Sequence, residues 1–472
     1  MKTIFIAIFT LAFKHLFSQN LNFSRTYPSN SYADARYFAN SNDNGFVMTG
    51  LDKNHEDSTG DMYAMKVNAF GGVIWKKYYG YPKEDGGNFI LKSNNGGYLI
   101  VGHSNNTPDN ECDGYLVKIN EEGEKIWDLF LGTSLDDVCQ GGVQAQDGSY
   151  YVTGRYEEQN GSHKFDLLLA NISSDGKLNW LKNIPSELSL EGFRLALGTD
   201  QSILITGFGV NEKTNNEDIF AQKTDLNGNF IWQKTWDEKL NERAFFVIPS
   251  DEGSYIIGGA AFEDRYAKKG SYGILRKLDK NGNVLTEFKS FNSTFNKTIF
   301  LDAHLYGTNQ MIVVGAQSEN ENPCIISFDM SLNPLNFKAF ESIGNTRPNA
   351  ILPINLNEFI LTGKIDINST LNIWLGRIKW NENLSLKSDD PNKSQLVSFP
   401  NPWNDSYYIY VDNAEEKNLE IYNNSGKLIK TITFNENDIF IYKRDLKIAG
   451  EYFFNIKLKN GKVIHNGRFI ME

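Results

Sequence analysis

Residues 113–127 read DGYLVKINEEGEKIW. An acid opens a run rich in Tyr, Leu, Val and Ile. A turn of Asn, Glu and Gly follows, and a second run ends in Trp. β-branched and aromatic residues suit a pleated, half-buried strand, and Asn and Gly accept the positive φ of a tight hairpin. Asp113, Lys118, Gly123 and Trp127 are spaced 5, 5 and 4 apart, and the same spacing holds for Asp61, Lys66, Gly71 and Trp75. It recurs at Asp166, Asn171, Gly176 and Trp180, and at Asp218, Lys223, Gly228 and Trp232, with a period of 52 or 53 residues. A fixed period of this length marks a repeat architecture.

A second marker precedes each hairpin. It is a turn, a short apolar run and a Gly, as in NGGYLIVG ending at Gly102. Equivalent segments end at Gly50, Gly154, Gly207, Gly259, Gly315 and Gly363, which makes seven units. Each unit holds four strand-like runs; in the second they are 88–93, 98–102, 114–120 and 125–131. The fold expected is all-β: a seven-bladed β-propeller over residues 20–384, followed by a small C-terminal β-sandwich. Unit seven offers strands near 346–354, 358–363 and 371–380 but no good fourth one, so LNFSRTY (21–27) is expected to complete it and fasten the ring. A solenoid would need polar caps at both ends. The units resemble the short β-propeller repeats of secreted bacterial proteins, worded roughly "GGYIVxG…DxYLxKLDxxGxxxW". That resemblance implies a fold and no particular chemistry.

Residues 1–19, MKTIFIAIFTLAFKHLFSQ, place Lys2 before the apolar run Thr3–Phe13 and small or polar residues at Ser18 and Gln19. The run is too short to span a bilayer and has the layout of a secretory signal peptide. No Cys lies near the expected cut, and no later apolar run is long enough for a membrane span. The 472-residue chain carries 47 Lys and Arg against 58 Asp and Glu, a net charge of −11. That balance excludes the clustered basic footprint of a nucleic-acid binder and disfavours anionic membrane surfaces. Three cysteines, Cys112, Cys139 and Cys324, are too few and too scattered for a disulfide scaffold. An exported chain could join Cys112 to Cys139; three isolated buried thiols are the other reading.

The polar segment 385–396 reads as a linker. Beyond it come short strand-like runs at 407–411, 418–423, 427–434, 439–446, 451–458 and 462–470. The segment 397–472 resembles the type A C-terminal sorting domain of the type IX secretion system of Bacteroidota. The matching pieces are Phe399, Pro400, Asn401 and Pro402, then Leu419–Tyr422 with Ser425–Lys427, Leu446 through Gly450 and Tyr452, and the terminal Asn466–Ile470 with Arg468 where Lys is common. The resemblance implies passage of the folded chain across the outer membrane by that machinery, removal of the tail, and release or surface attachment.

The six His match no zinc-ligand spacing, and there is no nucleophile-elbow, Walker or dinucleotide motif. Asp34, Asp85, Asp137, Glu191 and Glu242 precede their marker Gly by 16 or 17 residues, which puts them at the start of the innermost strand near one mouth of the channel. Such a ring could bind a cation, calcium above all, or a cationic group; alternatively each carboxylate accepts backbone N–H bonds and locks neighbouring blades. The Asp61 series reads as turn residues opening the third strand. The Trp75 series reads as packing between blades near the rim, with sugar stacking as the alternative. The long polar loops 53–60, 104–111, 155–164, 210–216 and 262–270 all join second and third strands and so gather on one face. The leading expectation is an exported surface or secreted binding module for a polysaccharide or protein. A glycan-active enzyme, needing two carboxylates in an aromatic-flanked cleft, and a non-catalytic adhesive protein are the alternatives.

Overall fold

The computed structural model describes residues 21–379 and 396–471, apart from short stretches in the connecting loops. The expected signal peptide, most of the linker and the tips of the five long loops lie outside the described residues. The chain divides into two compact units, which part between Glu382 and Asn383.

The first unit is built of seven four-stranded antiparallel sheets. Six of them take their strands consecutively; the second, for example, runs Asp85–Lys92, Tyr98–Ser104, Asp113–Ile119 and Lys125–Leu131. In the seventh sheet Asn345–Asn355, Glu358–Ile367 and Thr370–Lys379 are joined by the N-terminal strand Leu21–Tyr27. That strand runs antiparallel to Thr370–Lys379, with Ser24 opposite Gly376 and Thr26 opposite Trp374.

The middle strands of the sheets are largely buried, and Phe46–Asp52, Asp61–Val67 and Asp113–Ile119 are buried along their whole length. The fourth strands, such as Val73–Tyr79 and Lys125–Leu131, are partly exposed. This is why the runs are continuously apolar rather than alternating: both faces of each middle strand are covered by neighbouring sheets. Apolar clusters form between consecutive sheets. Val47, Met62 and Ala64 of the first sheet pack on Ile90, Ile100 and Val117 of the second. The series continues to the last pair, where Met48, Tyr63 and Met65 of the first sheet pack on Ala350, Ile360 and Ile373 of the seventh. Each such aliphatic side chain contributes about 1.5–3 kcal/mol by leaving water, so cohesion resides between sheets.

The second unit has a three-stranded sheet, Leu396–Phe399, Ser406–Val411 and Asp438–Tyr442, and a four-stranded one. The latter orders Leu428–Phe434, Lys417–Asn423, Gly450–Leu458 and Val463–Met471. Ile441 of the smaller sheet packs with Leu419, Ile421, Tyr452, Phe454 and Ile456 of the larger. Among the described residues, no helix is long and apolar enough to cross a membrane.

Candidate functional site

The recurring Gly and Trp form a latch between sheets. Lys66 faces Trp75 across its hairpin, as Lys118 faces Trp127 and Lys223 faces Trp232. Each Trp then lies on the turn Gly of the next sheet. A Cβ on Gly123 would stand 3.0 Å from the Trp75 ring, and one on Gly176 would stand 2.6 Å from that of Trp127. Trp75 Nε1 also donates to the Glu121 carbonyl at 3.3 Å, and Trp232 Nε1 to that of Lys280 at 3.0 Å. The Trp series is therefore half-buried packing, engaged by its neighbours rather than open to a sugar. Gly176 (φ 86°) must serve both as a left-handed turn residue and as a bare platform. Gly176→Ala is expected to lower stability by about 2–4 kcal/mol, adding a clash to the roughly 1–2 kcal/mol backbone strain. Gly148→Ala is the control: its φ is 88° and its nearest neighbour stands at 3.6 Å, so urea melts should show the backbone cost alone.

The predicted carboxylates sit at the start of the inner strands and are engaged in hydrogen bonds. Asp34 Oδ1 accepts from Leu51 N at 3.0 Å, and its Oδ2 from Tyr32 Oη at 2.9 Å. Asp85 Oδ2 accepts from Tyr81 N at 2.7 Å. Asp137 accepts from Thr133 N at 2.5 Å and Glu157 N at 2.8 Å. Glu191 accepts from Gln140 Nε2 at 2.6 Å and pairs with Arg155 at 3.3 Å, and Glu242 accepts from Leu240 N at 2.8 Å.

The fold brings the two acidic series together. A Cβ on Gly132 would meet Asp113 Oδ1 at 2.1 Å and Asp137 Oδ2 at 2.8 Å, so the glycine leaves room for both acids. Carboxylate oxygens of Asp218, Asp237 and Glu242 lie within 4.8 Å of one another. That grouping is compatible with a divalent cation. A proton relieves the same repulsion: burial first, then the Asp237 charge, pushes the Asp218 pKa up to about 6. An acid whose folded pKa is raised carries no penalty below its unfolded pKa of about 3.9 and its full penalty above its folded one. Asp218→Asn is therefore expected to raise stability at pH 8 by about 1–3 kcal/mol and to leave it unchanged at pH 3.5. Denaturant midpoints across that range check this.

One cavity of about 420 Å³ lies among the inner strands of the seven sheets. Of the five predicted carboxylates, Asp34 lines it. Its walls are set by a feature of each inner strand. The ladder skips one residue at Asn88, Gln140, Phe193, Phe245, Leu301 and Asn349. Such bulges re-aim a side chain. Arg36 takes the corresponding place in the first sheet, and all seven residues line the cavity. Arg36, Asn88, Gln140 and Asn349 form a polar arc, in which Arg36 Nη1 donates to Asn88 Oδ1 at 2.5 Å. Phe193, Phe245 and Leu301 form an apolar arc, with the two Phe rings stacked 5.6 Å apart at 13°. These residues escaped sequence reasoning, yet a signal existed. Each stands fourteen residues before its marker Gly, from Arg36 before Gly50 to Asn349 before Gly363. Because their chemistry varies from unit to unit, a search for repeated residue types passes over them.

The thiols of Cys112, Cys139 and Cys324 are free. Burial pushes those of Cys112 and Cys324 up to about 12, far from thiolate reactivity. His103, beside Asn88, is pushed down to about 3 by burial and then by Arg36, so it is neutral at pH 7. In the second unit Tyr452 is buried in the core, Gly450 opens its strand, and Arg468 stands opposite Phe453. Pro400, Asn401 and Pro402 lie outside the described residues.

Residues 397–471 match the family described as the secretion system C-terminal sorting domain. A curated relative, the ulvan lyase NLR42 of Nonlabens ulvanivorans, is 31% identical over 88 residues, which is 18% of this chain and 16% of that protein. The chain thus spans about a sixth of the relative it matches. Among solved structures, PorZ, a surface component of the type IX secretion system of Porphyromonas gingivalis, is similar at 10% identity and a TM-score of 0.42, over 94% of this chain and 61% of PorZ. A polysaccharide lyase of the PL25 ulvan lyase family is similar at 12% identity and a TM-score of 0.48, over 74% of this chain and 95% of that one. Likenesses this distant transfer neither a fold nor an activity. The sorting-domain match does carry weight: this is an exported protein whose C-terminal tail directs it through the type IX secretion system to the cell surface or the medium.

Proposed function

We propose that the mature chain is a surface-displayed or secreted binding module of a bacterium of the Bacteroidota. In this reading residues 1–19 are the signal peptide, 20–384 a seven-bladed β-propeller, 385–396 a linker and 397–472 a sandwich-like sorting domain. The observation that carries it is a sorting tail appended to seven sheets whose last packs against the first. The long polar loops 53–60, 104–111, 155–164, 210–216 and 262–270 all join second and third strands of their units, and scaffold-borne loops are where recognition is usually placed. The ligand is a polysaccharide or a protein, and the partner of the tail is the type IX secretion machinery.

The hydrogen bonds of Asp34, Asp85, Asp137, Glu191 and Glu242 support a scaffolding role for the acidic ring: four of the acids accept from backbone N–H groups, and Glu191 accepts from the Gln140 side chain. Calcium is the cation that would turn this ring into a site. The test is binding of the exported protein to a glycan and matrix-protein array, with calcium and with a chelator. A hit supports the module. A calcium-dependent hit lost on Asp85→Asn with Asp137→Asn assigns it to the ring. No hit under either condition overturns the binding reading in favour of a purely structural surface role.

A further inference from the structure

The chain is acidic overall, with a net charge of −11, but its central cavity is not. Arg36, Arg194, Arg243, Arg347 and Lys364 line it, against the single carboxylate of Asp34. Arg36 contacts Asp34 at 3.4 Å, and Arg243 grips Glu217 with a fork at 2.5 and 2.8 Å.

Arg194 is held differently. Its Nη1 donates to the carbonyls of Gln140 and Phe193, at 3.0 and 2.9 Å. Its guanidinium lies over the rings of Phe89 and Tyr37, at 4.7 and 4.9 Å. Its buried Nε has no hydrogen-bond partner among the described residues. Backbone and aromatic faces thus fix a cation at a cavity wall; the buried Asp302 acts on its charge, but its hydrogen bonds among the described residues go to carbonyls rather than to a carboxylate. A guanidinium stacked and anchored in this way is arranged to meet a planar anion. Around the same cavity, the stacked Phe193 and Phe245 offer a flat apolar surface beside Leu301. A volume of about 420 Å³ is that of a small-molecule pocket.

We propose that the channel binds a carboxylate carried on a ring, the carboxylate held at Arg194 and Lys364 and the ring lying against Phe193 and Phe245. A singly charged, planar carboxylate suits a site that also contains Asp34 better than a phosphate dianion does. The ring's source is an acidic sugar or an aromatic acid. The inference rests on reading the seven sheets as one closed ring.

The test is saturation-transfer NMR and calorimetry on the exported mature protein with glucuronate, glucose, benzoate and inorganic sulfate. Glucuronate or benzoate should bind at roughly millimolar or better, with glucose at least about tenfold weaker, because only the acids engage the cation. Glucuronate alone identifies a sugar ligand, and benzoate alone an aromatic one. Arg194→Gln should weaken the acid at least about tenfold and Arg194→Lys less, and Phe193→Ala should weaken it through the ring. Should Arg194→Gln fail to fold, Lys364→Gln carries the same test. The proposal is overturned if neither acid binds at about 10 mM, if glucose binds as well as glucuronate, or if sulfate alone binds as an adventitious ion only. An array hit together with an empty channel would also overturn it while leaving the proposed function standing.

Discussion

A chain that begins at Pro28 should melt roughly 10 °C below one that begins at Leu21, and should aggregate where the longer chain does not. The strand Leu21–Tyr27 supplies the outer strand of the seventh sheet, with six pairings to Thr370–Lys379. At about 0.5–1.5 kcal/mol net for each backbone bond, its removal costs roughly 3–9 kcal/mol. Its side chains add to this. Ser24 Oγ accepts from Trp374 Nε1 at 2.9 Å. Arg25 and Tyr27 then reach across to the first sheet, donating to the carbonyls of Phe70 at 3.2 Å and Gly71 at 2.7 Å. The strand thereby ties the last sheet to the first. Without it Thr370–Lys379 becomes an open edge, the template on which chains aggregate. Tyr27→Phe isolates the smallest part of this effect and should cost about 1 kcal/mol. Calorimetry of the two chains decides; equal melting points would mean that the seventh sheet does not depend on its N-terminal strand.

Deleting residues 397–472 should abolish export, with the truncated protein accumulating in the periplasm and the extracellular amount falling by more than about tenfold. The prediction is sharp because the two units have separate cores. The tail's core of Leu419, Ile421, Ile441, Leu446, Tyr452, Phe454 and Ile456 shares no residue with the clusters between the seven sheets. Tyr452→Ser should act in the same direction without truncation, since it opens a hole in that core costing roughly 3–5 kcal/mol. Cell fractionation with blotting, alongside the melting point of the first unit, separates a sorting defect from general misfolding. Normal export of the truncated chain would sink the sorting role of the tail.

Much of this was legible because it is local. A strand, a hairpin turn and a left-handed glycine each depend on residues within a dozen positions, so DGYLVKINEEGEKIW was enough to place Asp113–Ile119, Gly123 and Lys125–Leu131. Repetition at 52 or 53 residues then multiplied one hairpin into an array, and the missing fourth run of the last unit pointed to residues 21–27. The tail was legible for the same reason, its motifs lying in order along one short stretch.

What only the tertiary structure decided is which residues meet across sheets. Asp113 and Asp137 come together at Gly132 although they begin strands of different sheets. Trp127 rests on Gly176, 49 positions later in the numbering, rather than on anything in its own hairpin. The channel is the clearest case. The acids visible in the pattern turned out to be engaged in hydrogen bonds with backbone and side chains, while Arg194, Phe193 and Phe245 came to line the cavity at a bulge in their inner strands. A bulge shifts register by one residue and so reverses which side chains face inward. The sequence by itself pointed to the strands of the repeated units and to the address on the tail. The sign of the charge lining the cavity depended on the register of seven separate sheets, and only the folded molecule sets that.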